Sequence, residues 1–405
     1  VARVKQGPGA EECAEIAVRE AEKARSRGTF GVGGLLIDNN RRKIVKVIRN
    51  RVIQNCSVRD PTAHVERQLV DWYYCHYYSR NKKNHSSERM MTIVTSLDPC
   101  PMCAGSILAC GFNVIHVSRD ELAGVGCRGQ DFPTLPAGLR KKAKETFSSF
   151  GVAGRRTFSG PTDSIFYGSE IDSKLDQRSI RAFSSSLEKV RGIINCNGQP
   201  PNKLANPRTL ERSSRTFKLL KKCNPQALSD DYIVSFDRLG TQLGCILVEK
   251  ANESYKRSGI FNSACIIDPF GNVLLAESGA QEKSPIRTPF MDLMRKYHKL
   301  MFDVGQEGRK FFTHIKYCKI VTMLGPGQDS KSLMELGCFG SCTEGKVPEG
   351  SQFQYIIPQQ RQQDLKRMLE NLPPLFSTIL RLQDHIQQVE DEKLIKFCKS
   401  ELASF

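Results

Sequence analysis

The first 120 residues switch between two hydrophobic periods. In "AEECAEIAVREAEKARSRG" the small apolar residues Ala14, Ala17, Val18, Ala21 and Ala24 recur at three- and four-residue steps, and Gly28 follows them. That spacing predicts an amphipathic helix stopped by glycine. "FGVGGLLIDNNRRKIVKVIRN" has an apolar run, a polar turn at Asp38-Asn39-Asn40 and a second alternating run, which predicts a β-hairpin. "DPTAHVERQLVDWYYCHYY" predicts a helix capped by Asp60 with Pro61 in its first turn. "MMTIVTSL" predicts a buried strand, "PCPMCAGSILAC" a helix opened by proline, and "FNVIHVS" another strand. The order α-β-β-α-β-α-β predicts a sheet with helices packed on it.

From about Pro133 to Pro225 the periodicity loosens. "LRKKAKETFSSFGVAGRRTFSGPTDS" is basic and rich in Gly and Ser, and "NCNGQPPNKLANP" is turn-rich. "RTLERSSRTFKLLKK" sets Arg208, Arg212, Arg215, Lys218, Lys221 and Lys222 around a short apolar stripe, a solvated helix face or a nucleic-acid contact. The last stretch, "QQRQQDLKRMLENLPPLFSTILRLQDHIQQVEDEKLIKFCKSELASF", predicts two helices split at Pro373-Pro374.

Composition narrows the class. A chain of 405 residues has room for two or three domains with real cores. Sixty Lys and Arg against 43 Asp and Glu give a net charge of +17, which favours a polyanionic partner, nucleic acid before an acidic membrane surface. The sequence has no apolar run of about 18 residues, so no membrane span is expected. The charged N-terminal stretch lacks the apolar segment of a secretory signal. Fifteen cysteines without disulfide-domain spacing fit a reducing, cytoplasmic compartment.

Two short motifs carry the chemistry. His64-Val65-Glu66 opens one predicted helix, and Pro99-Cys100-Pro101-Met102-Cys103 opens the next. Cysteines three apart share a helix face, so both sulfurs reach one ion. The positive end of a helix favours the metal-binding thiolate. His64 adds a neutral imidazole. Three protein ligands leave tetrahedral zinc one open position, the arrangement of a catalytic site. H-x-E followed by P-C-x-x-C is the pattern of zinc deaminases acting on nucleobases, where the carboxylate, here Glu66, is a proton shuttle and not a ligand.

The segment from Glu12 to about Phe132 resembles the cytidine and tRNA-adenosine deaminase superfamily, and most of all its bacterial tRNA adenosine deaminase branch. "VGGLLID", Arg49-Asn50, "DPTAHVE", "DPCPMCAGSIL" and "SRDELAGVG" match that branch in order. Arg119-Asp120 with Gly124 and Gly126 separates it from free-cytidine enzymes, while guanine deaminases share most of the other motifs. The resemblance implies a three-layer α/β/α domain with a mixed five-stranded sheet. It also implies one zinc ion on His64, Cys100 and Cys103, with Glu66 as the catalytic acid and base. Asn50 and the backbone N–H of Val65 would bond the substrate base, with Phe30 on the pocket wall. The path from Asn50 to His64 is longer than in the compact bacterial enzymes, and "YYCHYYSRNKKNHSSERMM" lengthens the next connection. Of Trp72, Tyr73, Tyr74, Tyr77 and Tyr78, most are expected in the core, with base stacking the other reading. His76, His85 and His116 have no ligand spacing and are expected to be structural or solvent-facing.

A second set of motifs follows the same order. "NSACIIDPFGNVLLAESG" repeats the hairpin pattern, "SPIRTPFMDLM" stands in the place of "DPTAHVERQLV", and "IVTMLGPGQDSKSLMELG" lies against "IVTSLDPCPMCAGSILACG". In that register Thr288 replaces His64, Phe290 replaces Glu66, and Gly327 and Ser330 replace Cys100 and Cys103. The expectation is a tandem duplication: a catalytic domain over 1–165, a basic linker or helical segment over 166–228, a copy without metal over 229–350 and C-terminal helices over 351–405. Cys338 and Cys342 are expected to be buried thiols. In the family that the chain resembles, deaminase domains pair, so either the two copies pair internally or the chain forms a homodimer. The expected activity is zinc-dependent hydrolytic deamination, adenosine to inosine in tRNA or other RNA. The alternatives are a free base or nucleoside such as guanine or cytidine, or cytosine in single-stranded nucleic acid. A reading of another class is a nucleic-acid-binding protein with structural zinc.

Overall fold

The alanine stripe forms its helix. In the computed structural model, which describes residues 7–78, 87–126, 131–343, 347–350 and 352–404, α1 (Ala10–Ser26) buries Cys13, Ala14, Ala17, Val18, Ala21 and Ala24. Its small side chains let it lie hard on β1 (Gly33–Asp38), where a side chain on Gly33 would overlap the backbone of Ala17 and Ala21. β1 pairs antiparallel with β2 (Lys43–Arg49), and a short ribbon of β3 (Ile53–Gln54) and β4 (Ser57–Val58) follows. Next come α2 (Val65–Trp72), β5 (Met91–Leu97), α3 (Pro101–Cys110), β6 (Asn113–Ser118), α4 (Ala137–Thr146) and β7 (Phe147–Ser149). The sheet runs β2-β1-β5-β6-β7, with β1 antiparallel to both neighbours and β5, β6 and β7 parallel.

The helix expected from Asp60 begins later, at Val65, with His64 as its N-cap. Asp60 instead accepts hydrogen bonds from the Thr62 backbone (2.9 Å) and hydroxyl (2.7 Å), which hold a turn ahead of the helix. Beyond Trp72 the helix widens into a π-helical turn over Tyr73–Tyr78. Tyr73 is fully buried, edge-on to Phe112 at 5.1 Å, and Trp72 stacks on His76 at 6.1 Å. His85 lies outside the described residues.

After a parallel pair, β8 (Gly151–Val152) with β9 (Glu170–Ile171), the segment expected as a basic linker or helix forms α5 (Ser173–Asn195). This helix packs on α1, with Arg178 bonded to Glu15 (2.7 Å) and Glu22 (2.9 Å). A side chain on Gly31 would overlap the backbone of Ala182. α5 is therefore a wall of the first half. α6 (Arg215–Cys223) turns Thr216 and Leu220 inward and leaves Lys218 and Lys222 in solvent.

The second half repeats the first. α7 (Gly240–Ser258), β10 (Ala264–Ile267), β11 (Val273–Glu277), α8 (Pro289–Gly308), β12 (Lys319–Leu324), α9 (Ser330–Cys342) and β13 (Phe353–Ile357) follow. α10 (Gln362–Glu370), β14 (Ile386–Gln388) and α11 (Glu392–Leu402) end the chain. The sheet runs β11-β10-β12-β13-β14 with the same directions as the first. A register shift interrupts β1/β2 between Leu36 and Ile37, and its counterpart interrupts β10/β11 between Ile266 and Ile267. Thr95 faces Gly34 across one sheet, and Thr322 faces Ala264 across the other. Shared order, direction and bulge are the pattern of a tandem duplication. The tail expected as two helices contributes the strands β13 and β14, because the second sheet needs them to cover the edge of β12. Among the described residues no helix is long and apolar enough to cross a membrane.

The halves meet where α3 lies on α9. A side chain on Gly105 would overlap the backbone of Met334 and Ser330, and one on Gly337 would overlap Pro101 and Met102. The contact is reciprocal: Met102 and Gly105 meet Gly337 and Met334, each pair three residues apart on its helix. Gly337→Ala is therefore expected to destabilise the chain by about 1–3 kcal/mol, because overpacking outweighs the gain in helix propensity. Gly138→Ala, in α4 with nothing near its Cβ position, is expected to be neutral to about 1 kcal/mol stabilising. Urea unfolding of the two variants checks the difference.

His298 and His314 are both buried, and each ring bonds a backbone oxygen, Met294 O at 2.8 Å and Ile194 O at 2.9 Å. Burial pushes His298 down to about 4 and His314 down to about 3, from an ordinary value of 6.5. The unfolded chain takes up these protons below 6.5 and the folded chain does not. Stability is thus full above pH 6.5 and falls as pH drops toward 4, by about 1.4 kcal/mol per pH unit for each ring. Urea unfolding between pH 7 and 5 checks this; a flat profile would contradict it.

Candidate metal centre and its pocket

Two helix N-termini converge on one point. His64 caps α2 and Cys100 caps α3, both in extended backbone, with Pro101 at the first helical position of α3. His64 Nδ1 lies 3.7 Å from Cys100 Sγ. Cys103, one turn into α3, completes the group: the three donor atoms lie within 4.8 Å of one another. Donors around tetrahedral zinc, with Zn–S about 2.3 Å and Zn–N about 2.0 Å, stand roughly 3.5–3.8 Å apart. Two thiols and one imidazole at this separation fit zinc in chemistry and in spacing. It is the one such group among the described residues. A hydrogen bond from Cys103 and the neighbouring His64 hold Cys100 well below the usual thiol range.

Glu66 sits on the second residue of α2, 2% exposed. Its carboxylate accepts the Thr95 hydroxyl at 2.7 Å, and burial raises its pKa above the ordinary carboxylate value. Asn50 is buried beside it. Asn50 Oδ1 accepts Thr29 Oγ1 at 2.6 Å and Val52 N at 3.0 Å, so its Nδ2 is the group left for the pocket that it lines. Val65 opens α2, and first-turn N–H groups have no intrahelical acceptor. Phe30 lies edge-on to His64 at 6.1 Å. All seven residues singled out in the sequence line one cavity of about 60 Å³.

The Arg119-Asp120 motif builds a turn that clamps the loop before Cys100. Asp120 accepts the backbone N–H groups of Leu122 and Ala123, both at 3.1 Å. Gly126 N donates to Asp98 at 3.0 Å, and Val125 N donates to Pro99 O at 3.0 Å. A side chain on Gly124 would overlap the Asp98 carboxylate, which explains the small residue there. His116 is buried against Ser118 O at 3.0 Å, and burial pushes it down to about 3.

The outer wall was not legible in the sequence. Phe183, Leu187 and Arg191 come from α5, and Ser341, Leu375 and Phe376 come from the second half. The helical period of α5 was the signal available for the first three. No local signal marks the last three, because at least 238 residues separate them from the metal motifs (Cys103 to Ser341).

The matching place in the second half differs from the register read in the sequence. Thr288 caps α8 as His64 caps α2, and Phe290 stands at the Glu66 position, as expected. α9 ends like α3 but starts about one turn earlier, at Ser330. Aligning the reciprocal glycines Gly105 and Gly337 puts Ser332 and Glu335, and not Gly327 and Ser330, where Cys100 and Cys103 stand. Cys338 and Cys342 are buried with their sulfurs 3.9 Å apart.

The first half, over residues 9–118, matches the family model of the cytidine and deoxycytidylate deaminase zinc-binding region. Its α/β fold is the cytidine-deaminase-like one that the motifs implied. Over 100 residues the chain is 32% identical to a tRNA-specific adenosine deaminase of Haemophilus influenzae, an alignment covering 24% of this chain and 51% of that protein. The chain thus matches about half the length of this curated relative. A solved structure from a study of A-to-I editing by tRNA:A34 deaminases at the wobble position of transfer RNA is similar at 20% identity, covering 28% of this chain and 79% of that one with a TM-score of 0.22. A guanine deaminase structure from Nitrosomonas europaea is similar at 11% identity, covering 49% and 99%, with a TM-score of 0.28.

Proposed function

We propose that the chain is a zinc-dependent hydrolytic deaminase of a nucleobase, with adenosine in tRNA or other RNA as its substrate. The observation that carries this reading is the meeting of the His64, Cys100 and Cys103 donors beside the buried Glu66 carboxylate. Zinc bound there supplies the Lewis acidity that makes a water nucleophilic near neutral pH. Glu66 takes the proton released as that water attacks the ring carbon bearing the exocyclic amine, passes it to the ring nitrogen, and then assists the amine to leave as ammonia. Its raised pKa suits a group that must both accept and release a proton. Thr95 fixes the carboxylate. Asn50 Nδ2 and the Val65 N–H donate to acceptor atoms of the base, and Phe30 covers its face.

RNA is supported by the relative named above, by the net charge of +17, and by a groove of about 560 Å³ between α2 and α8. Arg51, Arg59, Lys296 and Lys299 line the groove, next to balanced Asp–Arg pairs at Asp60, Asp71, Arg67 and Arg295. A second reading, deamination of a free base or nucleoside, draws on the pocket, which is small, about 60 Å³, and walled by Phe30, Phe183 and Phe376. In either reading the first half is catalytic, the second is a degenerate copy, and their packing through α3 and α9 stands in for a homodimer partner. A cytoplasmic setting accords with the free thiols.

Ammonia release from tRNA, single-stranded DNA and a panel of free bases and nucleosides tests the reading. The parent is expected to turn over one of them. Glu66→Ala should lose about 10²–10⁴-fold in rate while keeping about one zinc per chain, and Cys100→Ala should lose metal and activity together. Full activity of Glu66→Ala on that substrate would refute the mechanism. Zinc without turnover on any substrate would favour a nucleic-acid-binding protein with structural metal.

A further inference from the structure

The second half keeps a cavity where the first half gathers His64, Cys100 and Cys103. It measures about 140 Å³, larger than the catalytic one, and is bounded by the N-terminal turns of α8 and α9 and the end of β12. Loss of the ligands has not filled it. Phe290 takes the Glu66 position and turns into the core against Phe353 at 4.8 Å, while Asn262, Thr288, Thr322, Ser332 and Glu335 keep the lining polar. At about 30 Å³ per water, the volume is that of about five waters.

One hydroxyl there is orphaned. Thr322 is the strand counterpart of Thr95, which donates to Glu66 in the first half. With phenylalanine in place of that glutamate, Thr322 Oγ1 is left buried, 4% exposed at the residue, without a partner among the described residues. A buried hydroxyl without a partner costs stability unless something entering the cavity bonds it. Glu335 lies across from it on α9 and accepts the Thr288 hydroxyl, and burial pushes its pKa up to about 7. Near neutral pH its carboxyl is therefore both donor and acceptor. Lys331 is the one cation on the lining, against Asp329 and Glu335, so the site does not suit a phosphate.

We propose that this cavity binds a nucleobase or nucleoside and holds it without chemistry. Hydroxyl, amide and carboxyl groups around a narrow cavity match a small, neutral heterocycle with donors and acceptors on its edge. His64, Glu66, Cys100 and Cys103 have no equivalents there of the same chemistry, so a bound base is not hydrolysed. The site stands apart from the deaminase reading, since it would be a regulatory or anchoring pocket whatever the first half acts on.

Equilibrium dialysis of labelled adenine, guanine, cytosine, hypoxanthine and their nucleosides tests it, on the parent, Thr322→Val and Ser332→Phe. At least one ligand should bind the parent, bind Thr322→Val roughly tenfold more weakly, and be lost from this site in Ser332→Phe. Thr322→Val should meanwhile melt at or above the parent temperature, since it removes an orphaned polar group. Ammonia release by the same samples reports separately on the first half. Absence of binding by the whole panel would overturn the proposal. So would binding that Thr322→Val leaves unchanged, whether or not Ser332→Phe folds.

Discussion

The close approach of α3 and α9 organises everything near the metal centre. Gly105 and Gly337 let the two backbones touch, and no larger residue fits either place. Because α3 also presents Cys100 and Cys103, the helix that joins the halves is the helix that holds two of the three metal donors. The same contact brings Ser341, Leu375 and Phe376 to the outer wall of the catalytic pocket. The second half of the same chain thus contributes to the wall of the pocket in the first.

The site's chemistry follows from where the helices start. Two N-termini point at one spot, and their positive ends favour a thiolate there. His64 and Cys100 are caps with extended backbone, so their side chains turn toward each other ahead of the helices. Glu66, one residue inside α2, is buried enough to hold its proton more tightly than an exposed carboxylate. The second half keeps this frame with other groups on it. The strand threonine and the cap position of α8 remain, while the candidate metal donors and the acid are replaced by Thr288, Ser332, Glu335 and Phe290.

Most of the first sheet and the whole donor set were legible from local pattern. The alanine stripe, the hairpin alternation and the two ligand motifs each lie within a dozen residues. What local pattern missed depended on distant partners. Asp60 looked like a cap, but its bonds to Thr62 spend its oxygen on a turn, and His64 caps instead. Over 166–228 the sparse apolar residues left linker and helix both open, because α5 needs only one narrow face against α1. The tail looked helical because "FQYII" and "IQQ" are too short to announce strands without a sheet to join. The register of α9 slipped because its extra first turn shifts residues without breaking the helical period.

The most direct test of the metal centre is X-ray absorption at the zinc edge of the purified chain. The account predicts two sulfur neighbours at about 2.3 Å and two lighter ones at about 2.0 Å, one of them imidazole. A shell of four sulfurs, drawn from other cysteines, or a chain without zinc would contradict it.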